Sequence, residues 1–349
     1  MAEHRFPYIW NIADGYPAKG IEAHGKKVFG TFICGGGSSM GYKLAGYHHL
    51  GGVELDPKNV EIYTANHHPE YIYNMDIRDF NAMTDLPAEL YNLDLLDGSP
   101  PCTTFSTCGK RENTWGKEKK FAEGQKLQTL DDLVFIYCDT IEKLMPKVCL
   151  LENVSGLVKG NAKSYAKRVV KRLNDIGYDV QVFLLNAATM GVPQARERVF
   201  FIGHRKDLDL PKLELNFREA PIFFGEFRED IPGLNELSEL QFDVWNKKCP
   251  RDTSMADVLL RTENRNAWFN MVLVHDNRVA PTKATGLGEV LYSQPRRYTE
   301  REIKCVSTFP QDYKCASKNH LAFLTGMSVP PVMTAQIAYE IYRQWLTRV

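Results

Sequence analysis

The strongest constraint on the fold is an alternation of short apolar runs with helical stretches, which begins at Lys27 and continues to Ile202. Helical pattern follows the first apolar run up to Ala45, starts again at Pro57, and recurs over residues 130–144 and 162–176. Such alternation predicts an α/β fold, with a doubly wound, mostly parallel sheet covered by helices on both faces. Five predicted strands cover residues 28–33, 93–96, 148–151, 178–185 and 199–202, and the second and third strands end at residues 53–55 and 74–77.

The pattern changes after residue 206. Residues 207–295 lack a strong period and mix Arg and Lys with Phe, Trp and Asn, whereas helical pattern returns at 299–307 and 334–346. A chain of 349 residues is also long for a single core. We therefore predict a catalytic domain over 1–206, a smaller irregular lobe over 207–295, and a return to the first domain over 296–349.

Composition sets broad limits on function. The formal net charge is zero, which neither favours nor excludes a polyanionic partner, because a basic face can be balanced by an acidic one. The eight cysteines have neither C-x-x-C nor zinc-finger spacing, so we expect reduced thiols in a cytosolic protein without a metal site. No apolar run reaches membrane-spanning length and the first residues do not resemble a signal peptide, so we expect no membrane partner.

A glycine-rich turn, Gly35-Gly36-Gly37, separates the first predicted strand from its helix. Glycines there allow a ligand to approach backbone N–H groups at the start of the helix. Glu54 ends the second strand, where an acid typically binds two ribose hydroxyls, and Asp76 follows the third, within reach of an adenine amino group. The pattern predicts a nucleoside cofactor, and the missing G-x-G-x-x-G argues against a dinucleotide. For Asp76 alone, a solvated loop acid is the more frequent alternative.

Three further groups suggest chemistry. Cys102 follows two prolines at the end of the fourth strand, a rigid, exposed position that suits a nucleophile. Glu152 ends a later strand, where partial burial is expected to raise its pKa and let it donate a proton, unless it is a capping acid. Arg196 and Arg198 alternate at the start of a strand, which points both to one face and suits an anionic or carbonyl-bearing substrate. A surface salt-bridge pair is the alternative.

Taken together, these residues resemble the DNA cytosine-5 methyltransferase family, and they follow the family's order along most of the chain. The matching segments are Phe32-x-Cys34-x-Gly36-Gly37 for F-x-G-x-G-G, Pro100-Pro101-Cys102-Thr103-Thr104-Phe105-Ser106 for P-P-C-x-x-F-S, Glu152-Asn153-Val154 for E-N-V, Gln194-x-Arg196-x-Arg198 for Q-x-R-x-R, Arg297 to Tyr313 with Thr299, Glu302 and Phe309-Pro310-x-Asp312-Tyr313, and Gly326-Met327-Ser328-Val329-Pro330-Pro331 for G-N-S-V-P-P.

The resemblance implies a Rossmann-like class I methyltransferase fold that uses S-adenosyl-L-methionine to methylate carbon 5 of cytosine in double-stranded DNA. By resemblance, Cys102 adds to carbon 6 of the ring and Glu152 protonates or hydrogen-bonds N3. Arg196 holds the O2 carbonyl and Arg198 supports the loop that carries Cys102. The family also implies that the cytosine is flipped out of the duplex, because its ring face cannot be reached in the stack.

The resemblance further assigns three regions. Residues 103–128, which are rich in Lys and Gly, are expected to close as a lid over DNA phosphates, with a solvated charged loop as the alternative. Residues 207–295 are expected to recognise the target sequence, with Arg261, Arg265, Asn266, Trp268, Asn270 and Lys283 as candidate DNA contacts. The cofactor site is expected to contain Phe32, Ile33, Cys34, Gly36, Gly37, Glu54, Leu55, Asp76, Ile77, Ser99, Pro101, Leu133, Met327 and Ser328.

Three residues depart from the family pattern: Cys34 replaces a glycine, Thr103 a glutamine and Met327 an asparagine. For Met327 the alternatives are neutral drift, weakened cofactor binding and a site for an altered sulfonium donor. An RNA substrate and a non-catalytic DNA-binding relative are further alternatives, although the C-F-T signature of the tRNA-modifying branch is absent and Cys102, Glu152 and Arg196 are present. We expect an enzyme that acts as a monomer on a specific DNA site in the prokaryotic cytoplasm, associated with the nucleoid, with a separate cognate restriction endonuclease as a possible partner.

Overall fold

A computed structural model describes residues 4–101, 132–159 and 163–349 of the chain. The chain divides into two compact units. The sheet unit comprises Tyr16–Asn186, Glu197–Asn216 and Thr334–Val349, and the lobe unit comprises Met1–Gly15, Ala187–Arg196 and Phe217–Met333. The predicted recognition segment, residues 207–295, falls mostly in the lobe unit, and the assignment of DNA recognition to it stays a prediction.

The predicted α/β sheet is confirmed. In the described part of the sheet unit, seven strands form one sheet. They are β1 (Lys27–Thr31), β2 (His48–Glu54), β3 (Tyr71–Asn74), β4 (Leu95–Gly98), β5 (Val148–Val154), β6 (Tyr178–Asn186) and β8 (Glu197–Arg205), with β7 in the other unit. Their order is β3-β2-β1-β4-β5-β8-β6, and β8 is the one strand of this sheet that runs opposite to the other six. From β1 the chain builds outward in both directions, which creates a topological switch point beside β1 and β4.

The core of the sheet unit packs apolar side chains of the strands against helices. Its helices are α1 (Gly37–Leu44), α2 (Pro57–His67), α3 (Ile77–Ala82), α4 (Asp132–Leu144) and α5 (Lys163–Ile176). Phe29, Leu96 and Leu151 of the strands are buried with Ile141 of α4 and Val169 of α5 in one core. The predicted pattern missed α3, because a helix of six residues is too short to show a period.

The lobe unit is built from short elements. Its strands are β7 (Gln194–Ala195), β9 (Val272–Val274), β10 (Ala280–Pro281) and β11 (Glu289–Leu291), which pair in parallel as β7 with β10 and β9 with β11. Its helices are α6 (Glu239–Asn246), α7 (Met255–Glu263), α8 (Glu300–Val306) and α9 (Lys318–Met327), and α10 (Pro331–Ile341) follows α9.

Two helices, α6 and α7, form in residues 207–295, where the sequence shows no strong period. Ser238 and Ser254 cap these helices, each in a reciprocal arrangement with the residue three positions later. This pattern is a helix-start signal that the sequence contained and the periodicity did not reveal. Val244 and Leu259 of these helices pack in a small core of the lobe unit.

The lobe unit contains buried ion pairs as well as apolar side chains. The side chains of Arg296 and Glu302 are both 0% exposed, and two guanidinium nitrogens each donate to a carboxylate oxygen at 2.8 Å. Glu302 also accepts from the backbone N–H of Thr299 at 2.9 Å, and Thr299 caps α8 in return. The family segment around Thr299 therefore has a structural role in this unit.

The C-terminal helices form the one described stretch, residues 318–346, that is long and apolar enough on average to cross a membrane. Of its most apolar window, 83% is buried inside the fold, as is usual for core helices. Length and composition are therefore weak grounds for a membrane span here.

Candidate active site

The carboxyl ends of the parallel strands place the sequence-predicted residues along one edge of the sheet. The cofactor turn, defined as residues 32–37, follows β1, while Glu54 ends β2 and Asp76 follows β3. Pro100 and Pro101 follow β4, and Glu152 lies near the end of β5. Open α/β sheets bind ligands at this edge.

The cofactor turn has an unusual backbone. Phe32, Cys34 and Gly36 all have positive φ values, of 56°, 46° and 80°. This region favours glycine because a Cβ approaches the following carbonyl oxygen, so Cys34 is strained where the family has glycine. No side chain caps the start of α1 at Gly36. Since the first N–H groups of a helix lack partners within it, this end can receive a ligand.

Glu54 joins the end of β2 to the cofactor turn. One carboxylate oxygen accepts from the backbone N–H of Cys34 at 2.8 Å, and the other accepts from that of Asp56 at 2.9 Å. Burial raises the pKa of Glu54, and these hydrogen bonds partly oppose the increase. The Asn59 side chain also donates to this carboxylate, so three of its roughly four lone pairs are used and one remains for a ribose hydroxyl.

The remaining predicted cofactor residues have mixed environments. Asp76 caps α3 by accepting from the backbone N–H of Arg78 at 2.8 Å, and its carboxylate also pairs with the Arg78 guanidinium at 3.2 Å. An adenine amino group would have to share these oxygens. Ile77 is buried, Leu133 is buried in the core of the sheet unit, and Leu55, Ser99 and Pro101 are partly exposed.

Asn153 fixes the end of β4 next to β5. Its side-chain amide donates to the backbone carbonyl of Pro100 at 3.2 Å, and its amide oxygen accepts from the N–H of Val154 at 2.9 Å. The asparagine of the E-N-V motif therefore holds the segment that leads to Cys102. Cys102 itself and the predicted lid, residues 103–128, lie outside the described residues.

Glu152 and Arg198 form an ion pair at this edge. Arg198 Nε lies 2.9 Å from Glu152 Oε1, and the two side chains are 14% and 10% exposed. The antiparallel register of β5 and β8 sets Val154 opposite Arg198 and Phe200 opposite Glu152, so the two charged residues are diagonal neighbours on one face. The guanidinium orients the carboxyl group and leaves its second oxygen for a substrate.

Arg196 has different partners from Arg198. It is 1% exposed, and its guanidinium donates to the backbone carbonyls of Gly326 at 2.9 Å and Lys283 at 3.3 Å within the lobe unit. The prediction that Arg196 and Arg198 share a face assumed one continuous strand. That assumption was wrong, because β7 ends at Ala195 and β8 begins at Glu197.

The closing motif lies at the end of α9 in the lobe unit. Met327 is 46% exposed, and Ser328 is buried with no hydrogen-bond partner for its hydroxyl among the described residues. A buried hydroxyl without a partner is uncommon and is consistent with a ligand that completes it. Gln194 links the same unit internally, because its amide oxygen accepts from the N–H of Lys283 at 3.0 Å and its nitrogen donates to the carbonyl of Val306 at 3.1 Å.

Sequence reasoning missed one buried acid, Asp97 of β4. Its carboxylate accepts from the Tyr42 hydroxyl at 3.1 Å, and burial raises its pKa to about 7, with the nearby Glu152 adding to the increase. Tyr42 belongs to α1, so Asp97 connects the strand before Cys102 with the helix after the cofactor turn. The signal in the sequence was the position of Asp97, an acidic residue that directly follows the apolar run 93–96.

Two of the candidate DNA contacts have structural roles. The Arg261 guanidinium binds Asp252 at 2.7 Å and the Lys247 carbonyl at 2.7 Å, and the buried Lys283 ammonium lies 3.3 Å from Glu289. In contrast, Arg265, Asn266 and Asn270 are exposed in the loop between α7 and β9, and the Trp268 ring is partly buried.

Three of the six described cysteines are shielded from solvent. Cys138, Cys149 and Cys305 are buried, and burial raises the pKa of all three. In the part of the chain that the structure describes, His, Cys, Asp and Glu form no group of three or more that could hold a metal ion.

The comparisons with known proteins agree with this geometry. The family model for C-5 cytosine-specific DNA methylase matches residues 27–343. The type II methyltransferase M.NgoPII of Neisseria gonorrhoeae is 27% identical, over 90% of this chain and 94% of that protein. The type II methyltransferase M1.HphI of Haemophilus parahaemolyticus is 25% identical, over 89% of this chain and 85% of that protein.

Solved structures share the fold. A candidate DNA modification methyltransferase encoded within a prophage of E. coli superposes with a TM-score of 0.65 at 18% identity, covering 91% of this chain and 99% of that one. A mutant of Spodoptera frugiperda DNMT2 gives a TM-score of 0.64 at 16% identity, with coverage of 91% and 99%. With the family model spanning most of the sequence, the chain belongs to the C-5 cytosine-specific DNA methylase family and is a DNA cytosine-5 methyltransferase of the restriction–modification type.

Proposed function

We propose that this enzyme transfers a methyl group from S-adenosyl-L-methionine to carbon 5 of a cytosine flipped out of a specific double-stranded DNA sequence. The observation that supports this most strongly is the arrangement at the ends of β4 and β5. Glu152 is oriented by Arg198 at 2.9 Å, and Asn153 binds Pro100, two residues before Cys102, at 3.2 Å. The acid and the described segment that leads to Cys102 therefore lie at one edge of one sheet.

The proposed chemistry follows from the poor nucleophilicity of carbon 5. The Cys102 thiolate adds to carbon 6, and the electron pair of the 5,6 double bond moves toward N3, where Glu152 donates a proton or hydrogen bond. Carbon 5 then behaves as an enamine carbon. When bound, S-adenosylmethionine supplies an electrophilic methyl group on its sulfonium. Loss of the carbon 5 proton to a base restores the double bond and expels the Cys102 thiolate.

The two arginines of the Q-x-R-x-R motif receive different roles in this proposal. Arg198 contacts Glu152, so it is the arginine placed to reach the O2 carbonyl of the same ring. Arg196 is instead a positioning residue, because its guanidinium is buried and donates to the backbone carbonyls of Lys283 and of Gly326 in the closing motif. These roles reverse those implied by the family resemblance.

The residues present suit S-adenosylmethionine. Within the sheet unit, Gly36 and Gly37 leave an uncapped helix start, and Glu54 has a lone pair left to accept a ribose hydroxyl. We propose that these residues hold the cofactor together with the other predicted members of the site. Met327 and Cys34 line up with motif positions near its amino-acid end, so they are the residues that would alter donor choice.

The proposal also covers the substrate and the setting. We propose that residues 207–295 recognise the target sequence through exposed residues such as Arg265, Asn266 and Asn270, and that residues 103–128 close over the DNA. We further propose that the enzyme acts as a monomer in the bacterial cytoplasm, on nucleoid DNA, and protects sites from a separate cognate restriction endonuclease.

Trapping with 5-fluorocytosine tests the mechanism. Because fluorine at carbon 5 cannot be removed as the proton is, the adduct between Cys102 and carbon 6 should persist. The first step is to express the enzyme in a methylation-free host and find its site by bisulfite sequencing. Duplex DNA containing that site, with 5-fluorocytosine at the target, is then incubated with enzyme and S-adenosylmethionine. We expect a denaturation-resistant complex from the wild type and from Cys315→Ser, and none from Cys102→Ser.

Each other outcome identifies an alternative. A complex with RNA and not with DNA would replace the DNA substrate, and no complex with either would favour a non-catalytic binding protein. A complex on DNA that forms only with another sulfonium donor would reassign the cofactor.

A further inference from the structure

An imidazole ring fills the space next to the second glycine of the cofactor turn. Three ring atoms of His67, the last residue of α2, lie within 2.9 Å of the position that a Cβ on Gly36 would take. Gly36 also has a φ of 80°, so its backbone conformation and its surroundings both exclude a side chain. Both residues are buried, which makes this a packed contact within the sheet unit.

The ring is held in place from several directions. It stacks flat on Tyr63, one helical turn earlier, with centroids 4.2 Å apart and planes within 7°. The Tyr63 hydroxyl donates to Ser39 Oγ at 3.1 Å, and Lys43 Nζ donates to the His67 backbone carbonyl at 3.0 Å. Ser39 and Lys43 both belong to α1, so the end of α2 is hydrogen-bonded to α1 at two places.

The other end of α2 meets the cofactor turn through Glu54. Asp56 caps α2 through Lys58, and its own N–H donates to Glu54, whose second oxygen accepts from the N–H of Cys34. Helix α2 thus connects the predicted ribose acid at its start with the turn's glycine at its end. Neither contact involves Cys102 or the other residues of the methyl-transfer chemistry.

We propose that His67 is a positioning residue for the cofactor: its ring fixes the Gly36 backbone in the conformation that binds S-adenosylmethionine. A glycine with positive φ is free to change conformation unless its surroundings restrict it, and ordering it on binding lowers affinity. The ring removes that freedom before the cofactor arrives. Burial also lowers the pKa of His67 well below its usual range, so the ring stays uncharged beside the Lys43 ammonium.

The inference rests on the proposed cofactor site, and a binding experiment separates the two. Dissociation constants for S-adenosylmethionine and S-adenosylhomocysteine are measured by calorimetry on the full chain, alongside KM and kcat. We expect His67→Ala to raise both dissociation constants and KM about tenfold, with kcat within about threefold, because the defect precedes chemistry. His67→Phe keeps a flat ring of similar size and should stay within about twofold of the wild type.

The control is His48→Ala, which removes an exposed histidine whose ring pairs with Glu70 at 2.6 Å on the surface. It should leave affinity unchanged. Circular dichroism and the melting temperature establish that each variant is folded. If His67→Ala does not fold, His67→Leu replaces it, since leucine retains most of the volume without the planar ring, and a several-fold loss of affinity is still expected.

A double variant gives an independent reading. Gly36→Ala places a methyl group against the ring, so its affinity loss should be smaller in the His67→Ala background than in the wild type. A folded His67→Ala or His67→Leu enzyme with wild-type affinity would overturn the inference, as would a His67→Phe enzyme as weak as His67→Ala. Failure of the wild type itself to bind S-adenosylmethionine would instead overturn the proposed cofactor.

Discussion

Buried charge is used differently in the two units of this enzyme. In the lobe unit, Arg296 and Glu302 are fully buried and satisfy each other, and Lys283 lies beside Glu289 in the same way. In the sheet unit, Glu152 and Arg198 form a pair at the ends of the strands with part of each side chain exposed. The first arrangement stabilises a region of short elements, and the second leaves an acid accessible to a substrate. Substituting one member of a pair should therefore reduce stability in the lobe unit and activity in the sheet unit.

The largest expected effect is on the stability of the lobe unit. Arg296→Ala leaves the Glu302 carboxylate buried without its partner, which should lower the free energy of unfolding by about 3–5 kcal/mol. Urea unfolding measures this loss. The double variant Arg296→Leu/Glu302→Leu removes both charges and should lose much less. A single variant that costs under about 1 kcal/mol would show that the pair does not support the unit.

The corresponding change in the sheet unit should affect catalysis. Glu152→Gln keeps the size of the side chain but cannot donate a carboxylic proton to N3, so kcat/KM should fall about 10²–10³-fold with little change in melting temperature. Methyl incorporation into the target duplex gives the rate. Glu197→Gln is the matched control, because Glu197 pairs with Lys159 on the surface. Equal losses in both variants, or a large loss of stability in Glu152→Gln, would contradict the contrast between the units.

Asp97 should make the stability of the sheet unit depend on pH. Burial raises its pKa from 3.8 to about 7, so the folded protein binds this proton more tightly than the unfolded chain. The stabilisation is complete below the unfolded pKa and is lost as pH rises through about 7, at roughly 1 kcal/mol per pH unit in between. Asp97→Asn should flatten the profile between pH 5 and 8 and be the more stable protein at pH 8. Parallel profiles from urea unfolding would exclude this role.

The smallest effect concerns backbone strain, and it compares one residue from each unit. Cys34 and Asn264 both have positive φ values, of 46° and 49°, but asparagine tolerates this region better than cysteine. We expect Cys34→Gly to raise the free energy of unfolding by about 0.5 kcal/mol. This net value is the strain that glycine relieves minus the cost of its greater conformational entropy in the unfolded chain. Cys34→Ala keeps the strain and Asn264→Gly relieves little, so both should stay near the wild type. A Cys34→Gly protein that is no more stable would refute the strain.

Much of the sheet unit was predictable because its strands are short apolar runs and its longer helices have a clear hydrophobic period. The sequence placed four site residues at or just after the ends of parallel strands: Glu54, Asp76, Pro101 and Glu152. Parallel strands bring such residues to one edge of the sheet. Connections between distant segments were not predictable, because no local pattern records them. Asn153 bonded to Pro100 is one example, and Arg196 bonded to Gly326 is another.

The lobe unit shows why motif matches alone do not assign roles. Asp312 belongs to a segment that resembles the family, yet its carboxylate accepts from the backbone N–H groups of Ile12 at 2.7 Å and Ala13 at 2.9 Å. Trp10 donates to the carbonyl of Thr308 at 2.9 Å in the same region. These bonds attach the N-terminal segment at residues 10–13 to the rest of the lobe unit.

The burial of Cys138, Cys149 and Cys305 has a consequence for the selectivity of thiol reagents. A thiol reacts as its thiolate, and burial both raises the pKa of these three and hinders access to them. An alkylating reagent should therefore label them only when the fold opens. Labelling at these three positions would report unfolding, whereas labelling at other cysteines would report the native enzyme. A mass spectrum of the alkylated chain therefore separates damage to the fold from modification of reactive thiols.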